Sequence, residues 1–168
     1  NFYLSRICKN EISIIETHKV EEKFHARFSA KGRKYKYTIL NKRTASPLLK
    51  DKTWRVPLTL NLQLMQKAST LLIGKHDFSA FRSIECQAKS PIKTIDSIHI
   101  IKNKELIEIY VEAKSFLMNQ VRIIAGTLVE IGLNKKTEKD ILMALKSHTR
   151  NYAGVTAPPH ALVLEQVI

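Results

Sequence analysis

Apolar and polar residues alternate along several short stretches of the chain, a pattern typical of strands that bury one face. The alternation is clear over 24–30, is interrupted at Gly32, and resumes over 33–40. The side chains that share one face of these two stretches are Phe24, Ala26, Phe28 and Ala30, then Arg33, Tyr35, Tyr37 and Ile39. We therefore predict a strand, a break and a second strand.

A helical period of apolar residues appears over 61–73, where Asn61 is a suitable N-cap. Gly74 follows the last apolar position, so we expect it to end the helix in the left-handed conformation. The residues of the predicted apolar stripe are Leu64, Met65, Ala68, Leu71 and Leu72.

Two further helices are predicted in the second half of the chain. The more apolar one covers 116–131, with Leu117, Val121, Ile124, Leu128 and Ile131 as its core stripe. A shorter helix begins near Thr137, whose hydroxyl forms a capping box with Asp140.

Strands are predicted over 94–101 and 105–113, joined by the short turn "KNKE", and over 162–168 after a Gly/Pro loop. The first two form an antiparallel hairpin. Hairpins mixed with helices indicate an α+β fold, with a mainly antiparallel sheet and helices packed on one face.

The charge of the chain is strongly positive. Lys and Arg number 28 against 15 Asp and Glu, a net charge of +13 with a pI near 9.8. Such an excess raises the local potential toward polyanions, and nucleic acid is its commonest partner. The alternative is a solvated, lysine-rich surface with no partner.

Several classes of protein find no support in the sequence. Cys8 and Cys86 are too few for a disulfide scaffold and lack metal spacing, so we interpret them as free thiols of a cytoplasmic protein. Neither a membrane span nor a signal peptide is apparent. Phosphate loops, dinucleotide fingerprints, nucleophile elbows and zinc spacings do not occur either. What remains is cofactor-free chemistry on nucleic acid, without metal, or no chemistry.

Arg122 is the most informative single residue. It is the only charged side chain between Lys114 and Glu130, in a helix expected to be buried. A buried guanidinium needs an acidic or phosphate partner because it cannot lose its proton. The helix supplies no such partner one turn away, so the carboxylate would come from elsewhere in the fold. The alternative is that Arg122 reaches the surface along its apolar stem.

The segment "FHARFSAKGRKYKYTIL" interleaves aromatic rings with cations. Tyr35 or Tyr37 can stack on an extracted base while neighbouring cations neutralise phosphates. The alternative places both rings in the core, and we expect this placement for one tyrosine of the pair. The candidate RNA contacts are His25, Arg27, Arg33, Lys34 and Lys36, with Arg82 of "KHDFSAFRS" and Arg150 of "RNYAGVTAPPHAL".

Four blocks occur in order: "FHARFSAKGRKYKYTILN", "LLIGKHDFSAFRS", "FLMNQVRIIAGTLVEIG" and "RNYAGVTAPPHALVLEQV". Together they resemble the tRNA pseudouridine synthase A family of the pseudouridine synthase superfamily, from about residue 11 to the end. The resemblance implies isomerisation of uridine to pseudouridine on the 3′ side of the anticodon stem-loop of tRNA. It also implies a homodimer that uses no cofactor.

The resemblance assigns two residues. Tyr35, in "RKYKY", matches the family tyrosine that stacks on the flipped uracil. Arg122, in "QVRIIAG", matches the family arginine that pairs with the catalytic aspartate, which would explain an arginine without a local partner.

The sequence departs from the family where that aspartate is concerned. The Gly-Arg-Thr-Asp-Ala-Gly block that carries it does not occur here. We therefore expect residues 1–168 to be the C-terminal domain of the enzyme and to be inactive alone. Smaller departures are the missing histidine before Arg122 and Ala161 in place of a usual glycine. The alternatives are a non-catalytic RNA-binding or dimerisation module of the same fold and a basic ribosome-associated protein.

Overall fold

The computed structural model describes residues 12–168. The chain divides between Ala30 and Lys31 into two units. Cys8 lies outside the described residues, whereas Cys86 is a free thiol.

The described part of the first unit, 12–30, contains turns, and the strand predicted over 24–30 is wrong. The backbone N–H of Ser29 donates to the carbonyl of His25 at 2.8 Å, and Ser29 Oγ accepts from the His25 N–H at 2.9 Å. His25 Nδ1 accepts from the N–H groups of Arg27 and Phe28. Local side-chain hydrogen bonds thus take the place of a strand ladder, and Phe24 and Phe28 remain exposed.

The second unit holds a six-stranded sheet and three helices among the described residues. The strands are β1 (Arg33–Leu40), β2 (Trp54–Arg55), β3 (Gly74–Asp77), β4 (Ile92–Asn103), β5 (Leu106–Ala113) and β6 (Leu162–Val167). The helices are α1 (Leu62–Thr70), α2 (Gln120–Gly132) and α3 (Glu138–Ser147). Short 3₁₀ turns lie at Pro47–Leu49, Ser79–Phe81, Arg150–Tyr152 and Pro159–Ala161.

The strand order is β2-β1-β5-β4-β3, and β6 also pairs with β1. Every pair is antiparallel except β1 with β2. The α+β class with a mainly antiparallel sheet is confirmed. So are the strand over 33–40, the β4–β5 hairpin and the final strand, whereas β2 and β3 were not predicted.

The sheet buries one face. In β1 this face carries Tyr37 and Ile39, which lie opposite Ile109 and Ile107 of β5, all fully buried. β-Branched residues pack well on such a pleated surface. This face, together with α1 and α2, contains the main apolar core.

The helix α1 follows the prediction closely, because Asn61 Oδ1 accepts from the N–H of Leu64 at 3.1 Å. The helix ends at Thr70, before the predicted terminus. Gly74 does have a positive φ of 100°, but it opens β3 instead of capping the helix.

The helix α2 begins at Gln120, four residues after the predicted start, and its five predicted core residues are all buried. The start is delayed because Asn119 adopts the left-handed conformation, with φ 61°. The capping box of α3 is confirmed, since Asp140 Oδ2 accepts from the Thr137 N–H at 2.7 Å. Over residues 12–168, no helix is both long and apolar enough to cross a membrane.

Candidate active site around Arg122

Arg122 lies in the first turn of α2, on the edge of the buried part of the helix. Its side chain is half-buried. Nε donates to the carbonyl of Ala157 at 2.7 Å, and one terminal nitrogen donates to Oδ1 of Asn119 at 2.8 Å. The guanidinium is therefore fixed at two of its nitrogen atoms.

Both hydrogen-bond acceptors of Arg122 are neutral. Within residues 12–168, no carboxylate lies at ion-pair distance from its guanidinium. Arginine carries five N–H donors, and two suffice for the contacts described. The remaining donors can bind one further carboxylate or phosphate in a bidentate manner.

Tyr37 lies next to Arg122 and belongs to the core. Its ring is fully buried, and its hydroxyl donates to the carbonyl of Pro158 at 2.9 Å. Burial raises the pKa of Tyr37 far above its usual value, although the charge of Arg122 opposes the shift. The hydroxyl therefore stays protonated and serves as a donor. The interpretation that one tyrosine of the pair fills the core is confirmed.

Tyr35 lies on the same face of β1, two residues before Tyr37, and is only half-buried. Its ring makes a T-shaped contact with that of Phe116, with centroids 5.3 Å apart and planes at 82°. Tyr35 is thus supported from one side while part of its ring stays accessible. This is the arrangement that a stacking platform requires.

The 153–158 loop, which supplies the carbonyls of Ala157 and Pro158, is clamped to α2. The N–H of Gly154 donates to Thr127 Oγ1 at 2.8 Å, and the Thr127 hydroxyl donates to the carbonyl of Ile123 at 2.7 Å. A Cβ on Gly126 would lie 1.9 Å from the carbonyl oxygen of Val155. Only glycine permits this approach, which brings the 153–158 loop within reach of Arg122.

Comparison with known proteins decides the family. A model of the family described as tRNA pseudouridine synthase matches residues 68–168. The tRNA pseudouridine synthase A of Thermoanaerobacter sp. (strain X514) is 42% identical over 167 residues, which are 99% of this chain and 68% of that protein. The chain belongs to the tRNA pseudouridine synthase family.

Other relatives agree with this assignment. The tRNA pseudouridine synthase A of Ehrlichia chaffeensis is 46% identical over 161 residues, 96% of this chain and 66% of that protein. The protein of that name from Anaplasma phagocytophilum is 46% identical over 167 residues, 98% of this chain and 67% of that protein. The resemblance seen in the four sequence blocks is confirmed.

In this tRNA pseudouridine synthase family member, the cations of β1 lie on two faces. Arg33 shares the face of Tyr35, and a terminal nitrogen of its guanidinium donates to the carbonyl of Lys114 at 2.6 Å. Lys34 and Lys36 alternate onto the opposite face. The Lys34 ammonium lies 5.3 Å from the ring centroid of Tyr110.

Lys36 forms an ion pair with Glu165 at 3.2 Å. The hydrogen bond to Glu165 raises the pKa of Lys36, so the lysine stays charged. Both lysines are thus already engaged on the face that Tyr35 does not share.

Arg150 contacts the clamped loop, since one terminal nitrogen donates to Thr156 Oγ1 at 3.4 Å. Burial lowers the pKa of Arg150, and the negative charge of Glu130 opposes that shift. Arg82 follows the 3₁₀ turn Ser79–Phe81 and is half-buried. Burial acts to raise the pKa of Asp77, but hydrogen bonds from Ser79 lower it, and the charge of Arg82 adds to the lowering.

His25 and Arg27 belong to the first unit. The His25 ring lies 4.3 Å from that of Phe28, and the Arg27 guanidinium lies 5.7 Å from the same ring.

Two contributors to the site were not identified from the sequence. Asn119 precedes α2 in "FLMNQVR", and its type and position mark it as a helix-start residue, but nothing in the pattern shows that it contacts Arg122. The carbonyl of Ala157 carries no side-chain signature at all. As for metals, the described part of the chain contains no cluster of three His, Cys, Asp or Glu suited to an ion.

Proposed function

We propose that the intact enzyme isomerises uridine to pseudouridine in tRNA, on the 3′ side of the anticodon stem-loop, without a cofactor. One observation carries the proposal: in a member of this family, Arg122 is half-buried and, among residues 12–168, held only by the neutral oxygens of Ala157 and Asn119. A guanidinium held this way is ready to pair with a carboxylate. The relatives' names, tRNA pseudouridine synthase A, support the same substrate.

The reaction is an isomerisation that balances without an oxidant or reductant. The bond from ribose C1′ to N1 of uracil breaks, the base turns, and C1′ is joined to C5. C5 loses its hydrogen as a proton, and N1 gains one. The target base must first leave its stack, at a cost of a few kcal/mol. Stacking on Tyr35 would offset about 1–3 kcal/mol of it.

The role of Arg122 would be to hold the catalytic carboxylate ionised. A neighbouring guanidinium lowers the pKa of a carboxylate and orients it through paired hydrogen bonds. We propose that this carboxylate comes from a part of the enzyme outside residues 1–168. Two of the aspartates here have other contacts, since Asp77 lies 3.5 Å from His148 and Asp140 caps α3. The chain would then be the C-terminal domain, inactive alone.

The candidate RNA contacts can be ranked by position. Arg33 shares a face with Tyr35, and Arg150 contacts the loop that holds Arg122. Arg82, His25 and Arg27 remain candidates at other places in the chain. Lys34 and Lys36 would have to meet a different part of the tRNA, because they lie across the sheet from Tyr35.

Salt dependence would identify true phosphate contacts. Replacing a cation that neutralises a phosphate should lower the slope of log affinity against log salt by about 1. We further propose that the enzyme acts as a homodimer in the cytoplasm, with tRNA as its partner and without attachment to a membrane.

The decisive experiment is tritium release from tRNA labelled at C5 of uridine, with the gene product expressed from its natural start. Joining C5 to ribose must expel that hydrogen, so release reports the isomerisation itself. The 168-residue polypeptide, assayed in parallel, should release none. Release by that polypeptide alone would contradict the proposed location of the carboxylate.

Arg122→Ala in the intact enzyme should reduce turnover roughly 10²- to 10³-fold, the typical loss for one preorganised charge-stabilising group. Binding of tRNA should change much less. Full turnover by Arg122→Ala would refute the ion pair. Binding of tRNA by wild type with no release would instead indicate the non-catalytic RNA-binding module.

A further inference from the structure

Asn119 has an unusual conformation for its position. It precedes α2, where an asparagine side chain normally accepts from the helix N–H groups. Instead its φ is 61°, and its side chain makes no capping hydrogen bond. Asparagine adopts this left-handed conformation more readily than most other non-glycine residues. The amide group is therefore directed away from the helix terminus that it would usually satisfy.

Both ends of that amide are used elsewhere. Oδ1 accepts from the Arg122 guanidinium at 2.8 Å, while Nδ2 donates to Ser83 Oγ at 2.7 Å. A guanidinium can only donate hydrogen bonds, so the oxygen of the amide must face it. The nitrogen then requires an acceptor, which the Ser83 hydroxyl provides. Arg122 thus determines which way the Asn119 amide faces, and the Ser83 hydroxyl, which can donate or accept, accommodates that orientation.

Ser83 is itself held in place beside this segment. Its N–H donates to the carbonyl of Met118 at 3.2 Å, and its carbonyl accepts from the N–H of Cys86 at 3.1 Å. Cys86 Sγ in turn accepts from the N–H of Met118 at 3.5 Å. The 83–86 loop and the residues before α2 therefore form one connected support under Asn119.

We propose that Asn119 is a positioning residue for the reaction. It fixes the Arg122 guanidinium so that the donors left over receive the catalytic carboxylate in the productive orientation. The Ala157 carbonyl holds Nε, and Asn119 removes the remaining rotation by holding a terminal nitrogen. This inference rests on the proposed function, because the orientation of Arg122 affects the reaction only if a carboxylate pairs with it.

The test uses the intact gene product, with single-turnover tritium release and tRNA affinity measured separately. Asn119→Ala removes the amide, and Asn119→Gly removes it while suiting the left-handed backbone, so that misfolding cannot explain a loss. Both should lower the rate at saturating enzyme at least about 10-fold, since a misplaced catalytic group costs up to roughly 10²-fold. Affinity for tRNA should stay within about threefold of wild type, a factor worth under 1 kcal/mol.

The chain offers a matched control in Asn134. It follows the same helix, is exposed, and has the same left-handed backbone, with φ 56°. Asn134→Ala carries the same backbone cost as Asn119→Ala and should leave the rate unchanged. An equal loss in both variants would show a folding effect and overturn the proposal.

Asn119→Asp adds a readout that a purely structural role would not change. The ionised aspartate would be a local partner for Arg122 and would compete with the catalytic carboxylate. When protonated, it can accept from Arg122 and donate to Ser83, as asparagine does. The rate of Asn119→Asp relative to wild type should therefore rise as the pH falls toward the aspartate range. A ratio independent of pH would overturn the proposal.

Failure of this inference differs from failure of the proposed function. If wild type releases tritium and Arg122→Ala does not, but the Asn119 variants match wild type, only the inference falls. If wild type releases none, the proposed function falls and the inference with it.

Discussion

Tyr37 and Arg122 donate hydrogen bonds to the carbonyl groups of two consecutive loop residues. The Tyr37 hydroxyl contacts Pro158 at 2.9 Å. Arg122 Nε contacts Ala157 at 2.7 Å, and the Arg122 carbonyl accepts from the Ala157 N–H at 3.2 Å. One strand, one helix and one loop are thereby joined at Arg122, for which we propose a role in catalysis, so this loop should matter to both stability and rate.

Tyr37→Phe should lower the free energy of unfolding by about 1 kcal/mol, because the Pro158 carbonyl loses its donor in a largely buried site. Urea unfolding measures the difference directly. Tyr35→Phe is the control, since no hydrogen bond from the Tyr35 hydroxyl occurs among the described residues. Equal midpoints for wild type and Tyr37→Phe would show that this contact contributes nothing.

Gly126→Ala should be among the most damaging single changes in the chain. The added Cβ would meet the Val155 carbonyl oxygen at 1.9 Å, so the 153–158 loop must leave α2. Overpacking of this kind costs typically 1–3 kcal/mol or more. Gly32→Ala is the control, since the nearest atom to its Cβ would be the end of the flexible Ile168 side chain, at 3.3 Å. Thermal melting distinguishes them, and similar melting temperatures would argue against the clamp.

Thr127→Val keeps the shape of the side chain but removes its hydroxyl. The buried N–H of Gly154 is then left without an acceptor, which costs about 1–3 kcal/mol. Thr127→Ser retains the hydroxyl and should recover most of the loss in a urea titration. If Thr127→Ser were as unstable as Thr127→Val, the hydroxyl alone would not explain the stability of wild type, and the methyl group that serine lacks would also be needed.

Stability should fall in acid partly through Asp140. The backbone N–H of Thr137 lowers the pKa of Asp140, and the Thr137 hydroxyl adds to the shift. A carboxyl whose pKa is lowered by folding stabilises the protein above its unfolded pKa, about 3.9. That contribution is lost as the pH falls through the lower folded-state pKa.

Urea midpoints measured from about pH 6 down to about pH 2 should therefore decline less steeply for Asp140→Asn than for wild type. Asp51→Asn makes the same charge change at an exposed position and serves as the reference. Parallel profiles for all three proteins would show that Asp140 does not contribute to the loss of stability in acid.

The elements that could be predicted from the sequence are those in which the apolar positions coincide with the buried ones. β5 buries every second residue, as its alternation predicts, and α2, the most apolar segment, is buried at nearly every position. The stretch 24–30 shows the same alternation, but it hydrogen-bonds to itself through His25 and Ser29. Alternation predicts a strand only where a partner strand is available. β2, with two residues, is too short to show a period.

The candidate site was predictable only in its side chains. Arg122 was apparent because one charge interrupts an apolar helix. Its acceptors were not, because one is a backbone carbonyl 35 residues away in sequence and the other depends on the backbone turn at Asn119. Contacts of this kind arise from the fold and leave no trace in composition or spacing.

The alternation of β1 also changes how its substitutions should be compared. Tyr35 and Lys36 are adjacent in sequence, yet one faces the helices and the other faces Glu165 across the sheet. An alanine scan through "RKYKY" would therefore sample two environments in turn, and its effects should be averaged over every second residue, never over neighbours. The cations and rings that are adjacent in this stretch of sequence therefore belong to two separate surfaces of the sheet.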